Sequence, residues 1–251
     1  MLWLVELGKH LPLFGTVSLV TTSMGAVRAL NPDVLTLQVI QALCVLLCWT
    51  ATTIYSASVV FAFLTLGRDL LLHLSTRSRW QLAGVKLSVL AVLLLVQHAL
   101  TLVWQVADLS KSAGAHVGAA IGYVVVAKIV SILVFLCSVT LVATLAKTFR
   151  GRGGSTTFFA SGMLVVVAAQ AIVLWRIGAP NTHDFFIGVG GDVFTVNLYA
   201  NILPLTLTGP GDGFLPPITG LSIVLNLIAA VVLAGAWAAL AKVRKFDFLP
   251  L

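Results

Sequence analysis

The stretch VGAAIGYVVVAKIVSILVFLCSVTLVATLA, Val117 to Ala146, holds one charged residue, Lys128, among apolar, small or hydroxyl-bearing side chains. A helix needs roughly 20 apolar residues to cross a hydrocarbon core about 30 Å thick, and this run is longer. In lipid the backbone N–H and C=O groups have no water to bond. A continuous apolar run satisfies them internally as a helix, which an isolated strand cannot do.

Five further stretches of this kind lie to either side: Leu11–Leu30, Leu35–Leu66, Leu82–Val106, Thr157–Ile177 and Pro217–Ala241. The first is the least apolar, with Thr16, Ser18, Thr21, Thr22 and Ser23, and Asn31-Pro32-Asp33 closes it with a tight connection. The second exceeds a simple crossing, so it tilts or projects into water. The 251 residues are 59% hydrophobic and only 9% charged, where a soluble domain is roughly a quarter charged. Mean hydropathy is +1.08. The expected fold is therefore all-α: a single polytopic transmembrane domain over residues 1–251 with six membrane helices.

The net charge of +7 does not make a nucleic-acid surface, because the basic residues sit in short gaps and form no patch. Arg68, Arg77, Arg79 and Lys86 flank the second gap, Lys147, Arg150 and Arg152 the fourth, and Lys242, Arg244 and Lys245 the tail; Lys9 precedes the first span. Against these eleven stand Arg28, Lys111 and Arg176. Lys and Arg accumulate on the cytoplasmic side of short loops. Both termini are thus expected in the cytoplasm, in a multi-pass protein of the plasma membrane. Residues 1–10 mix Leu2, Trp3, Leu4, Val5 and Leu7 with Glu6 and Lys9. They read either as an interfacial helix ahead of the first span or as a helix start projecting from it. They do not read as a cleavable signal.

Polar residues inside membrane spans are costly and mark candidate sites. A candidate substrate path comprises Gln38, Gln41, Thr52 and Thr53 in the second span, Lys128 in the fourth and Gln170 in the fifth; Gln97 and Thr101 are the polar pair of the third. Asp108, Gln97 and Gln170 are candidate partners for Lys128. Gly114, Gly118 and Gly122, spaced by four, form a face that permits close helix approach. Cys44, Cys48 and Cys137 read as small buried thiols. Residues 178–216 form an outer segment too long for a turn, whose glycine-broken apolar pieces suit a re-entrant cap over an outward opening. His183, Asp184 and Asp192 within it lack ligand spacing, so no metal is expected. No carboxylate falls inside the six stretches, which argues against proton-coupled transport, and no catalytic constellation is present; the chain is not expected to be an enzyme. The Gly151-Arg-Gly-Gly-Ser-Thr156 run lacks the Lys and spacing of a phosphate loop and reads as a flexible turn.

The gap between the second and third stretches is basic and amphipathic. It carries Arg68-Asp69, then His73-Leu74-Ser75-Thr76, then Arg77-Ser78-Arg79-Trp80-Gln81-Leu82 and Lys86. This resembles a pattern in the six-helix permease subunits of bacterial ATP-binding-cassette (ABC) exporters. There an Arg/Lys-Asp pair precedes a Leu-Thr-Leu-like turn, a basic residue and a Leu-x-x-x-Lys that opens the third helix. Thr76-Arg77 stands where those permeases often have a proline. The wider plan is similar too: six helices, cytoplasmic termini, an interfacial N-terminal helix and a long outer segment between helices 5 and 6. The resemblance implies that Arg68, Asp69, His73, Arg77 and Arg79 belong to a coupling helix that docks on a separate cytoplasmic ATPase. That partner would supply ATP and Mg, since this chain holds no phosphate loop and no cofactor. It also implies a homodimer, or a pairing with a related permease subunit, exporting an amphipathic substrate such as an antimicrobial peptide, drug or lipid-like molecule. The alternative from another class is a membrane-embedded immunity or sensor protein that binds a peptide or lipid without transport.

Overall fold

In a computed structural model of the chain, residues 2–31, 34–65, 79–113, 117–149, 151–176 and 217–243 are described. Their regular structure is entirely helical: α1 Leu2–Leu30, α2 Leu35–Thr65, α3 Arg79–Ala113, α4 Val117–Ala146, α5 Arg152–Arg176 and α6 Pro217–Val243. Among the described residues, five helical segments are long and apolar enough to cross a membrane: Leu2–Leu30, Val39–Thr65, Trp80–Thr101, Lys128–Ala146 and Ile223–Lys242. α5 carries a shorter apolar stretch, Gly153–Ala169. The outer segment 178–216, with His183, Asp184 and Asp192, lies outside the described residues.

Helix α4 is the axle. It touches α2, α3, α5 and α6, while α1 lies against α2 and α3. Phe61, Phe63 and Leu64 of α2, Leu82, Ala83, Leu90 and Leu93 of α3, and Phe135, Val139 and Ala143 of α4 form the buried core. The outer skin is apolar as well: Leu47 is 68% exposed, Leu164 69% and Val231 67%, whereas Glu6, Thr52 and Gln97 are each 1% exposed. Large aliphatic side chains exposed in such number, with several polar ones buried, depart from the order of a water-soluble protein. The arrangement is compatible with a membrane location.

The helices run alternately up and down. At one end Trp3 Nε1 of α1 donates to Ser88 Oγ of α3 at 3.2 Å. Thr65 Oγ1, at the end of α2, donates to the Ala143 carbonyl near the end of α4 at 3.2 Å. Trp80 at the start of α3 meets Trp237 near the end of α6 edge to face, with centroids 4.9 Å apart. Trp237 Nε1 donates to Thr144 Oγ1 at 3.1 Å. The first and last described helices therefore have their outermost ends, Leu2 and Val243, at the same end of the bundle.

Two readings of the sequence need correction. Residues 2–10 are not a separate interfacial helix: they are the first turns of α1, which continues through Pro12 to Leu30. Proline removes one backbone donor, a loss that membrane helices tolerate where side chains re-satisfy the freed carbonyls. The Gly151–Thr156 run is not a flexible turn. Only Gly151, at φ +86°, is in the left-handed region, where glycine carries no Cβ penalty. From Arg152 onward the run is helix. Ser155 fixes the corner: its Oγ donates to the Ala146 and Phe149 carbonyls at 2.9 and 3.1 Å, capping the exposed end of α4.

Candidate functional site: two polar centres inside the bundle

The inner centre is built on Glu6, the only glutamate in the chain. Its carboxylate is buried between α1 and α3 and pairs with the buried Lys86 ammonium. Lys9, one turn along α1, reaches the other carboxylate oxygen at 3.0 Å. His10 Nε2 lies 3.2 Å from Glu6, and His10 Nδ1 lies 2.8 Å from the Tyr55 hydroxyl of α2. The i, i+4 spacing of Glu6 and His10 puts them on one face of α1. Phe14, a further turn on, packs edge to face on Tyr55. Lys86 also lies 5.2 Å from the Phe63 ring centroid. A charge in this setting is tolerable only because each partner is matched in sign and hydrogen-bonded. Beside it a small crevice is lined by Val60, Phe63, Leu64, Ala83, Lys86, Leu87 and Thr140. The sequence reading found no carboxylate inside a span because it placed Glu6 ahead of the first one. Continuity of α1 is what brings Glu6 into the bundle.

The second centre lies farther along α2, α3 and α4. Lys128 Nζ of α4 sits 4.8 Å above the Trp49 ring of α2. The His98 ring of α3 meets the same indole edge to face, with centroids 4.2 Å apart. Gln97 is adjacent on α3. All four residues are more than nine-tenths buried. Lys128 Nζ, Trp49 Nε1, both polar atoms of the Gln97 amide and both His98 ring nitrogens have no hydrogen-bond partner among the described residues.

The hydroxyls around these centres behave differently. Thr52 donates to the Cys48 and Trp49 carbonyls at 3.1 Å, Ser56 to Thr52 at 2.7 Å, Thr101 to Gln97 at 2.8 Å and Thr140 to Leu136 at 2.6 Å. Each is satisfied by its own helix and is free of any need for a ligand.

The proposed path residues thus divide. Thr52, Thr53 and Lys128 are buried within the bundle. Gln41 is buried near the α1–α2 connection, where its Oε1 accepts from Arg28 Nη1 at 2.9 Å. Gln38 lies on α2 and Gln170 on α5, and their side chains are outside the described set. The expected Lys128–Gln97 bond does not form. Asp108 lies about 15 Å farther along α3 than His98 at 1.5 Å per residue. Trp49 and His98 were missed by the sequence reading. The adjacent Gln97-His98 pair in an apolar run was the available signal; Trp49 gave none, because indole reads as apolar.

Of the coupling residues, Arg68, Asp69, His73 and Arg77 lie outside the described residues, and Arg79 is the first residue of α3. Gly114 also lies outside them, and Gly118 lies on α4. A Cβ on Gly122 would meet nothing within 4 Å, so this glycine makes no close approach among the described residues. A close approach is described on α5: a Cβ on Gly162 would come within 2.7 Å of Val142 Cγ1 on α4. Among the described residues no three His, Cys, Asp or Glu side chains gather as a metal site requires. Comparison with protein-family models, with curated proteins and with solved structures finds no match.

Proposed function

We propose that this chain is a permease subunit of an ABC exporter, driven by a separate cytoplasmic ATPase. It moves an amphipathic substrate: an antimicrobial peptide, drug or lipid-like molecule. One observation carries the reading. Residues that bracket the basic segment between α2 and α3 are anchored in the buried interior. Phe63, Leu64 and Thr65 on one side and Leu82, Ala83 and Lys86 on the other are all buried. A separate ATPase can drive membrane helices only through an element that is firmly anchored at its roots. Lys86, the lysine of the Leu-x-x-x-Lys pattern, also holds the start of α1 through Glu6. A push on the head of α3 is then felt by α1 and, through His10 and Tyr55, by α2.

In this reading all six helices cross the plasma membrane and both termini are cytoplasmic. The eleven basic residues support this, as does the meeting of the α1 start and the α6 end at one end of the bundle. Arg68, Asp69, His73, Arg77 and Arg79 contact the ATPase, which brings ATP and Mg. A second copy, or a related permease, completes the pathway.

The test is to purify the chain from native membranes in mild detergent and identify what travels with it. The expected result is a stoichiometric ATPase whose hydrolysis responds to an amphipathic substrate. Purification with no ATPase, together with saturable binding of a peptide or lipid, would favour the immunity or sensor role instead.

A further inference from the structure

We infer that the centre formed by Trp49, Gln97, His98 and Lys128 is a binding site for an anionic group, a carboxylate or a small inorganic anion, held inside the bundle between α2, α3 and α4. This concerns binding alone and stands independently of the permease reading.

The argument is one of charge and of donor inventory. Lys128 is the charged residue of α4's apolar run, and no described carboxylate pairs with it; the described acidic partner of the bundle, Glu6, is engaged by Lys86, Lys9 and His10. The Trp49 face offers the ammonium one partner through its ring quadrupole, at 4.8 Å. Three N–H donors on Lys128 remain. The same cluster holds the indole N–H of Trp49, which only donates, and an imidazole N–H of His98, and the preceding α3 residue, Gln97, is a buried amide with two unbonded protons. Donors outnumber acceptors, and none of these atoms bonds to another among the described residues. Leaving buried polar groups unpaired costs about 1–3 kcal/mol each, and more for a charged one. Water would satisfy some donors but leaves the charge uncompensated. An anion satisfies both, since it accepts from every donor and cancels the ammonium. A cation is excluded by Lys128.

The experiment uses the full chain in lipid nanodiscs, in a dilute Tris–HEPES buffer free of halide and of carboxylate. Sodium bromide is titrated while tryptophan emission is followed, with Trp49→Phe measured in parallel to isolate the Trp49 signal. The expected result is a saturable quenching component that is lost in Trp49→Phe and in Lys128→Met. Gln97→Leu should weaken it about tenfold, the equivalent of roughly 1.4 kcal/mol for one charge-assisted hydrogen bond. Sodium acetate should displace bromide and neutral acetamide should not. Octanoate displacing bromide much more strongly than acetate would identify the carboxylate of an amphipathic molecule as the natural occupant; equal potency would identify a small free anion. Quenching that rises linearly and is unchanged in Lys128→Met or Gln97→Leu would overturn the assignment. So would acetamide competing as well as acetate, which would mark a neutral, water-filled centre.

Discussion

Glu6 and Lys86 show what one misplaced residue hides. In sequence, Glu6 belongs to a mixed decapeptide ahead of the first span and Lys86 lies just inside the third, counted with the basic residues of the gap before it, so nothing pairs them. In the fold they meet, 1% and 3% exposed. No local pattern encodes that meeting; it depends on α1 lying against α3. Breaking a buried pair from one side leaves an uncompensated charge and costs about 3–5 kcal/mol, whereas replacing both partners with apolar groups is often neutral. Glu6→Gln should therefore lower the midpoint of thermal unfolding in detergent sharply, and Glu6→Leu with Lys86→Met should restore most of it. A double variant as unstable as the single one would show that the pair does not act as a unit. The middle centre was half legible for the same reason. Lys128 and Gln97 announce themselves as costly residues in apolar runs, but their convergence with Trp49 and His98 needs three helices to be placed.

At the scale of elements, hydropathy located each described helix but not every boundary. The run Val117–Ala146 coincides with α4, and Leu35–Leu66 runs one residue past the end of α2 at Thr65. The starts of α3 and α5 lie earlier than their apolar runs, at Arg79 and Arg152. Helical hydrogen bonding continues past the last apolar residue, and hydropathy has no way to register it. The spacing of Gly114, Gly118 and Gly122 suggested a packing face; of the three only Gly122 has described surroundings, and the tight described contact is Gly162 against Val142. A lone glycine in an apolar run carries no spacing signal. Gly162→Leu should reduce the yield of folded protein, because the β-branched Val142 has little rotamer freedom to give way. Val142→Ala in the same chain should recover part of it. Gly122→Ala, facing open space, should leave thermal stability within about 0.5 kcal/mol of wild type. Equal effects at positions 122 and 162 would contradict the described packing.

For the whole molecule, the apolar exterior and the alternating helices make a bundle compatible with a membrane, with its described ends together. The proposed direction rests on the positions of the basic residues. Gly153 is exposed in the first turn of α5, and a side chain there meets nothing within 4 Å. With Cys44, Cys48 and Cys137 replaced by Ala, a cysteine introduced by Gly153→Cys should resist a membrane-impermeant thiol reagent in intact cells and react once the cells are opened. Labelling from outside intact cells would invert the orientation and remove the coupling segment from the reach of any cytoplasmic ATPase.

The central claim is that an ATPase grips the basic segment between α2 and α3. Charge reversal at Arg77→Glu and Arg79→Glu leaves the buried residues at the roots of that segment, Leu64, Thr65, Leu82, Ala83 and Lys86, untouched. It also leaves the other basic gaps to hold the topology. The deciding measurement is the amount of ATPase that co-purifies with the double variant, taken alongside substrate export from cells expressing it at the wild-type level. The account predicts that both fall together while membrane insertion is unchanged. ATPase association and export undiminished from wild type would contradict it.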